Sequence, residues 1–270
     1  MNFNGKIAIV TGASEGIGKA IALEFAIRGA KVVLASRNIN KLEQVKARIE
    51  NNGGTAISVQ TDVSIEKDCE NLINKTVSTF GKIDILVNNA GISMRANFNE
   101  LKTDVIRKVM DINFFGTVYC TKYALPYILK EKGYIVGISS ISGITPLPGR
   151  TGYCASKYAM NGFLKTLRLE HKKDGLNVMI VYPGFTNSEI RKNALTKDGN
   201  PQGKSPRTEE KMMSSEKLAK IIANGIEKNK TQIITTIQGK MTVFFYRLFP
   251  RFVDKLILKT MKKEPDSPNF

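Results

Sequence analysis

Short runs of apolar residues recur along the chain, separated by longer stretches in which apolar and polar positions mix. Each run is four to six residues long and predicts a strand buried on both faces, as in a parallel sheet. The predicted strands are residues 6–11, 31–36, 56–60, 84–87, 134–139, 177–182 and 232–236. The predicted helices are one ending near residue 28, then 41–51, 64–80, about 103–129, one ending near 172, and 216–227. This alternation predicts an α/β fold: one doubly wound parallel sheet of about seven strands with helices on both faces.

One polar residue interrupts the predicted helix 103–129. Asn113 lies in its interior, where asparagine is unfavourable because its side chain competes for backbone hydrogen bonds. We interpret it as the site of a bend or of a bound water. A plain solvent-facing asparagine remains the alternative.

The pattern changes after residue 188. Residues 189–215 are polar and rich in Lys, Gly and Pro, which predicts a mobile lid over a neighbouring site, with a disordered surface insert as the alternative. A basic amphipathic tail at about 240–263 follows, in which aromatic and aliphatic residues alternate with cations, and Pro250 divides it into two helical pieces. Because no linker separates a second domain, residues 1–270 are predicted to form a single domain.

Composition excludes several classes of protein. The chain has 270 residues, 42% hydrophobic, enough for a full core. Three cysteines without metal spacing indicate free thiols in a reducing compartment. With neither a signal-peptide pattern nor an apolar run of about 20 residues, we expect a cytoplasmic protein. His171 is the only histidine, so we expect neither a histidine-based triad nor a metal site.

The net charge of +17 is unusual. Residues 240–263 contain seven cations against one acid, Asp254, and the remainder of the chain is basic too. Such a charge favours acidic partners or anionic surfaces without identifying one; a solvated basic exterior is the alternative. No recognised nucleic-acid-binding motif accompanies it, so no nucleic-acid partner is expected.

A glycine-rich turn follows the first predicted strand. Residues 12–18 read Gly-Ala-Ser-Glu-Gly-Ile-Gly and open a helix. Glycines allow close approach of a ligand to the backbone, and the helix start offers free N–H groups to a pyrophosphate. Between a strand and a helix, this turn predicts a dinucleotide site formed by Gly12, Ser14, Glu15, Gly16, Ile17 and Gly18.

Residues at the ends of the next strands indicate which dinucleotide binds. Ser36-Arg37 follows the second strand, where an NAD-binding unit usually has a carboxylate. Arg37 can pair with a 2′-phosphate and Ser36 can donate to it, which favours NADP(H), although an ordinary loop arginine is the alternative. Asp62 can reach an adenine amino group, cap a helix beginning near Ser64, or do both. Asn89-Ala90-Gly91 lies at the ligand-binding edge of the sheet.

The candidate acid–base residues lie within residues 139–157. Ser140 follows the fifth strand, and Tyr153 and Lys157 are four residues apart, on one face of a helix. A nearby cation favours a phenolate, so Lys157 is expected to lower the pKa of Tyr153 toward the range of a general acid–base catalyst. Ser140 is positioned to hold a substrate oxygen. A chance surface pair of Tyr and Lys is the alternative.

Taken together, these motifs resemble the classical short-chain dehydrogenase/reductase family over residues 6–188. The motifs are TGASEGIG at 11–18, NNAG at 88–91, Asn113, Ser140, YCASK at 153–157 and PG at 183–184. The resemblance implies a Rossmann-like fold and nicotinamide-dependent chemistry on alcohols and carbonyls. It makes Tyr153 the proton-exchanging group, Ser140 the substrate-oxygen ligand, Lys157 a ribose ligand and Asn113 the residue that positions a relay water.

The resemblance also extends the cofactor site. Positions where the family contacts cofactor or lies beside it include Gly12, Ser14, Ile17, Asp62, Val63, Asn89, Tyr153, Lys157, Pro183, Gly184, Thr186 and Ser188. There are two departures: Ser188 replaces a threonine, and Glu15 lies where many NADP-preferring members have a base. The tail weakly resembles the branch of 11β-hydroxysteroid dehydrogenases.

The sequence therefore predicts an NADP(H)-dependent oxidoreductase acting on an apolar ketone or secondary alcohol, assembled as a homodimer or homotetramer. Two alternatives are a 3-oxoacyl-carrier-protein reductase and a non-catalytic NADP-binding sensor or scaffold subunit. The tail is expected to pack on the core, on an oligomer partner or, peripherally, on a membrane.

Overall fold

Seven parallel strands form one sheet at the centre of the computed structural model, which describes residues 1–206 and 212–264. The strands are β1 (Ile7–Thr11), β2 (Lys31–Ser36), β3 (Thr55–Gln60), β4 (Ile85–Asn88), β5 (Tyr134–Ile138), β6 (Asn177–Tyr182) and β7 (Gln232–Ile234). Their order is β3-β2-β1-β4-β5-β6-β7, and every neighbouring pair is parallel. The predicted fold class is confirmed.

Helices cover both faces of this sheet. They are α1 (Gly16–Ile27), α2 (Ile39–Glu50), α3 (Glu66–Phe80), α4 (Thr103–Met110), α5 (Gly116–Lys130), α6 (Thr151–Glu170), α7 (Ser215–Glu227), α8 (Ile237–Leu248) and α9 (Pro250–Met261). Helices α1, α2 and α7 enclose one apolar layer, and α3, α5 and α6 enclose the other. In β1, Ala8 and Val10 belong to the first layer, and Ile7 and Ile9 belong to the second. A strand must be apolar at every position when both of its faces are covered, which explains the unbroken apolar runs.

A π turn, Asp111–Phe115, joins α4 to α5 and contains Asn113. The helical stretch predicted over about 103–129 is confirmed, with this π turn in its interior, and the bend inferred from Asn113 stays a prediction. Asn113 is fully buried, so the solvent-facing alternative is wrong.

The tail forms a hairpin of α8 and α9, divided as predicted at Pro250, which lies in the first turn of α9. Val243, Val253 and Met261 are buried on its inner side. The tail therefore packs on the core with one face. Within the described residues, no helix combines the length and apolarity needed to span a membrane.

The predicted lid lacks a helix or strand from residue 189 to 206, yet part of it is firmly packed. Ala194 and Leu195 are buried, and the Leu195 backbone exchanges hydrogen bonds with Ser93 and Arg95 at 2.9 and 2.8 Å. Residues 207–211 of the predicted lid lie outside the described residues. Mobility of this segment stays a prediction.

Candidate active site

The carboxyl ends of the central strands border one large cavity of about 1810 Å³. The strand order reverses between β1 and β4, the position where open α/β sheets bind ligands. Every residue predicted to contact a cofactor lies on the cavity wall: Gly12, Ser14, Glu15, Gly16, Ile17, Gly18, Ser36, Arg37, Asp62, Val63, Asn89, Ala90, Gly91, Tyr153, Lys157, Pro183, Gly184, Thr186 and Ser188. Their contact with a cofactor stays a prediction.

The glycine turn is shaped by close backbone packing. Gly12 has a φ of 66°, and a Cβ there would lie 2.9 Å from Asn89 Nδ2. A Cβ on Gly18 would lie 2.2 Å from the Gly12 carbonyl oxygen, closer than any side chain permits. Asn89 Nδ2 donates to the Thr11 carbonyl at 2.8 Å, which joins the ends of β1 and β4. The turn therefore leaves bare backbone at the cavity wall.

Helix α1 begins at this turn without a side-chain cap. Its N-cap residue, Glu15, makes no side-chain hydrogen bond to the first turn. The Glu15 carboxylate instead pairs with Lys41 Nζ at 2.7 Å. The first N–H groups of α1 are thus left for a ligand, and an anion fits such a helix start.

Cations and a buried hydroxyl mark the end of β2. Ser36 Oγ is buried and has no hydrogen-bond partner among the described residues, which is rare unless a ligand completes the site. Arg37 and Lys41 are exposed at the cavity rim. Lys41 was not predicted as a site residue. The signal that could have identified Lys41 is its position four residues after Arg37.

Asp62 lies on the cavity wall but does not begin a helix. Its Oδ1 accepts from the Ser64 backbone N–H at 3.0 Å and from the Ser64 hydroxyl at 2.7 Å. Helix α3 starts later, at Glu66, with Ile65 as its N-cap. The prediction that Asp62 caps a helix from Ser64 is wrong, because its carboxylate closes the turn before the helix.

Tyr153 and Lys157 lie one turn apart on α6, facing the cavity. Lys157 is 3% exposed, its Nζ donates to the Ile138 carbonyl at 2.9 Å, and it lies 5.8 Å from the centroid of the Tyr153 ring. Burial lowers the pKa of Lys157 to about 8. At neutral pH the ammonium form still predominates.

The pKa of Tyr153 shifts opposite to the expected direction. Burial raises it above its ordinary value, and this outweighs the lowering by a side-chain hydrogen bond with Ser140. The nearby charges of Arg150 and Arg191 also lower the pKa, more weakly. The expectation that Lys157 makes this phenol acidic is therefore not met here. The Lys157 ammonium is directed at a backbone carbonyl, and removal of water from the phenol dominates.

Asn113 lies behind the cavity wall rather than on it. Its Oδ1 accepts from the Ile92 N–H at 2.8 Å, and its Nδ2 donates to the Ile92 carbonyl and to Ser156 Oγ, both at 2.9 Å. Ser156 Oγ in turn donates to the Tyr153 carbonyl at 2.7 Å. Because both amide hydrogens are used, the side chain ties the loop after β4 to helix α6. Positioning of a relay water by Asn113 stays a prediction.

Part of the cavity wall is apolar and includes the tail. This part contains Leu147, Leu195, Phe245, Phe252, Val253 and Leu256. That α8 and α9 border the site was not predicted from the sequence. The signal was the spacing of Val253, Ile257 and Met261 at i, i+4 and i+8, which places them on one helix face.

A buried arginine also borders the site. Arg150 is 6% exposed, donates to the Met94 carbonyl at 2.5 Å and has its pKa lowered by burial to about 10, with Glu264 opposing this shift. It remains charged at neutral pH. No group of three or more His, Cys, Asp or Glu side chains within the described ranges is arranged to hold a metal ion.

Comparisons with known proteins bear on the family and the fold. A family model described as short chain dehydrogenase matches residues 6–199. Dehydrogenase/reductase SDR family member 7B of Rattus norvegicus is 34% identical over 271 residues, covering 97% of this chain and 83% of the relative. The 11-beta-hydroxysteroid dehydrogenase-like 2 of Arabidopsis thaliana is 35% identical over 260 residues, covering 95% and 82%.

Two solved structures share the fold. A short chain dehydrogenase/reductase from Burkholderia phymatum, in complex with NAD, has a TM-score of 0.84 at 23% identity, covering 93% of this chain and 96% of that chain. An alcohol dehydrogenase from the archaeon Thermococcus sibiricus, complexed with 5-hydroxy-NADP, has a TM-score of 0.78 at 21% identity, covering 86% and 96%.

Proposed function

The chain belongs to the short-chain dehydrogenase family, and on that premise we propose that it is an NADP(H)-dependent oxidoreductase acting on apolar ketones or secondary alcohols. The observation that carries the proposal is that Ser140, Tyr153 and Lys157 line the same cavity as the glycine turn. Two hydroxyls and an ammonium on one wall can hold a substrate oxygen and exchange its proton.

The cavity fits a nicotinamide dinucleotide. Bare backbone at Gly12 and the uncapped start of α1 suit a pyrophosphate. Lys157 and the Asn89-Ala90-Gly91 loop suit the nicotinamide ribose at the ends of β4 and β5. When bound, the nicotinamide supplies or accepts the hydride.

The end of β2 supports NADP(H) over NAD(H). The rim has two cations, Arg37 and Lys41, against one carboxylate, Glu15, which is neutralised by its 2.7 Å pair with Lys41. The buried Ser36 hydroxyl is available as a donor. A 2′-phosphate satisfies both the surplus positive charge and this hydroxyl. The unfavourable position of Glu15 noted in the sequence is thereby offset.

In the reaction, Tyr153 transfers the proton and Ser140 orients the oxygen. Because its pKa is raised, Tyr153 is a neutral phenol at pH 7 and is ready to donate a proton to a carbonyl oxygen as reduction proceeds. Lys157 binds the ribose and adds positive charge beside the phenol. Asn113 acts indirectly, by holding α6 against the loop after β4.

The wall composition supports an apolar substrate. Beyond Tyr153 the cavity is bordered by Leu147, Leu195, Phe252 and Leu256, and burying apolar surface there is favourable by about 25 cal/mol per Å². A small polar ketone would leave this wall in contact with water.

The central experiment replaces Tyr153 by Phe and follows NADPH oxidation with a series of ketones. Turnover should fall by roughly 10²–10⁴-fold, while NADPH affinity stays within a few-fold. Tyr127→Phe, on α5 and away from the cavity, is the matched control and should keep full activity. Retained turnover in Tyr153→Phe would remove the phenol from the mechanism.

The same assay separates the rival functions. Preference for acetoacetyl-carrier analogues over long-chain and steroid ketones would favour the 3-oxoacyl-carrier-protein reductase. NADPH binding without oxidation across a broad carbonyl panel would favour a sensor or scaffold.

We also propose a reducing, cytoplasmic location, supported by the three free cysteines, and assembly as a homodimer or homotetramer. Sedimentation velocity of the full chain tests the assembly; a monomer at micromolar concentration would contradict it.

A further inference from the structure

The outward side of the hairpin α8–α9 exposes an unusual amount of apolar surface. Sixteen large apolar side chains of the described chain are exposed, and nine of them lie within residues 237–258. The nine are 37–79% exposed: Ile237, Met241, Phe244, Phe245, Leu248, Phe249, Phe252, Leu256 and Leu258. Exposed apolar side chains scattered singly are normal, whereas a contiguous patch of this kind marks a binding surface.

Cations are interspersed among these apolar side chains. All seven are exposed: Lys240, Arg247, Arg251, Lys255, Lys259, Lys262 and Lys263. Asp254 is partly buried, and Glu264 is turned inward, 3.5 Å from Arg95, with both side chains under 10% exposed. The outward side of the hairpin is therefore both apolar and strongly positive.

The cavity reaches the surface within this apolar patch. Five of its nine exposed side chains also line the cavity: Ile237, Met241, Phe245, Phe252 and Leu256. An apolar molecule can thus pass from whatever covers the hairpin to the site of Tyr153 along apolar side chains.

We propose that the hairpin α8–α9 binds the surface of an anionic lipid membrane, and that apolar substrate enters the cavity from the lipid. Aromatic and aliphatic side chains mixed with Lys and Arg are the composition that binds the interface of anionic bilayers. A second copy of the chain fits less well, because a twofold interface places the same surface on both subunits. The seven cations of one hairpin would then face the seven cations of the other, and their repulsion would disfavour the contact. The substrate part of this proposal rests on the proposed function; the membrane part does not.

Vesicle sedimentation with the full chain tests the surface. Wild-type protein should sediment with vesicles of phosphatidylglycerol and phosphatidylcholine and much less with phosphatidylcholine alone. The triple variant Phe244→Ser, Leu248→Ser, Phe249→Ser changes three outward side chains that do not line the cavity. It should bind anionic vesicles about tenfold more weakly or worse.

Matched controls alter equally exposed residues elsewhere. Ile27→Ser, Ile65→Ser and Leu169→Ser together should leave vesicle binding unchanged. On the charge side, Arg247→Gln, Arg251→Gln and Lys255→Gln together should weaken binding about 100-fold, because each cation near an anionic surface contributes about fivefold in affinity. The matched triple Lys122→Gln, Lys165→Gln, Lys173→Gln should have little effect.

Activity separates this proposal from the proposed function. All variants should reduce a water-soluble ketone as the wild type does, whereas the hairpin variants should lose turnover of a long-chain ketone dissolved in anionic vesicles. If wild-type protein fails to sediment with anionic vesicles, or sediments equally with neutral ones, the membrane proposal is overturned whatever the turnover. Conversion of a wild-type oligomer to monomer by the apolar triple, without vesicle binding by either, would identify a protein interface instead. If the wild type reduces no ketone, the proposed function and the proposed substrate route both fail. Vesicle sedimentation still tests whether the hairpin binds an anionic membrane.

Discussion

Replacing Lys157 by Met should make the protein more stable while abolishing its activity. The folded-state pKa of this buried amine is about 8, against an ordinary value of 10.5. A group that loses about 2.5 pKa units on burial destabilises the folded state by about 3 kcal/mol wherever it must stay charged. Methionine removes this charge from a site that already accommodates an unbranched chain.

Loss of the hydrogen bond from Lys157 to the Ile138 carbonyl reduces the stability gained by the Lys157→Met variant. This loss costs about 1 kcal/mol, so the net stabilisation at pH 7 should be about 2 kcal/mol. Because the folded pKa lies below the unfolded one, the destabilisation by wild-type lysine is complete below pH 8 and is relieved as pH rises toward 10.5. At pH 10 only about 1 kcal/mol of it remains. The advantage of the variant should therefore vanish between pH 7 and pH 10.

Urea unfolding at several pH values, without added cofactor, measures this difference. Lys165→Met, an exposed position on the same helix, is the control and should change stability by less than about 0.5 kcal/mol. A Lys157→Met protein less stable than wild type at pH 7 would refute the reasoning. So would a stability difference that stays constant up to pH 10.

Three further predictions follow from individual contacts. Arg37→Leu should weaken NADPH binding by about 10–100-fold and leave NADH binding nearly unchanged, because it removes a charge-assisted partner of the 2′-phosphate; fluorescence titration checks both. Asn113→Ala should lower the free energy of unfolding by about 3 kcal/mol, since the Ile92 N–H, the Ile92 carbonyl and Ser156 Oγ each lose a hydrogen bond; equal denaturation midpoints would contradict this. Burial tends to raise the pKa of Asp84, but hydrogen bonds from Lys6, the Ile7 backbone and Lys82 lower it overall. The stability that this carboxylate contributes is thus present above pH 3.8 and lost as pH falls through its folded pKa, so Asp84→Asn should lower stability at pH 7 and flatten its acid dependence.

The fold was predictable because its signals are local. A strand with helices on both sides must be apolar at successive positions, as Ile7–Val10 are, and such runs are visible without any tertiary information. The glycine turn was predictable for the same reason, since its function depends on a few adjacent residues. The order of the strands was not predicted from the sequence, but the position of the cavity at the carboxyl ends of the strands follows from the rules of parallel sheets.

The parts that were missed depend on contacts between distant residues. The tail becomes a cavity wall partly through an ion pair between Arg95 and Glu264, which are 169 residues apart, and no spacing in the sequence encodes that pairing. Asn113 was correctly singled out as unusual, but its partners at Ile92 and Ser156 are 21 and 43 residues away. Its role in holding two elements together is visible only in the structure.

The error about Tyr153 has a single physical cause that also explains Lys157. Spacing along a helix shows that two side chains share a face, but it does not show how much water they lose. In this cavity, loss of water raises the pKa of the phenol and lowers that of the amine, because burial disfavours the charged form of each. As pH rises, Lys157 therefore releases its proton before Tyr153 does. At neutral pH both groups hold their protons, and this state of the pair favours donation of a proton to a carbonyl oxygen.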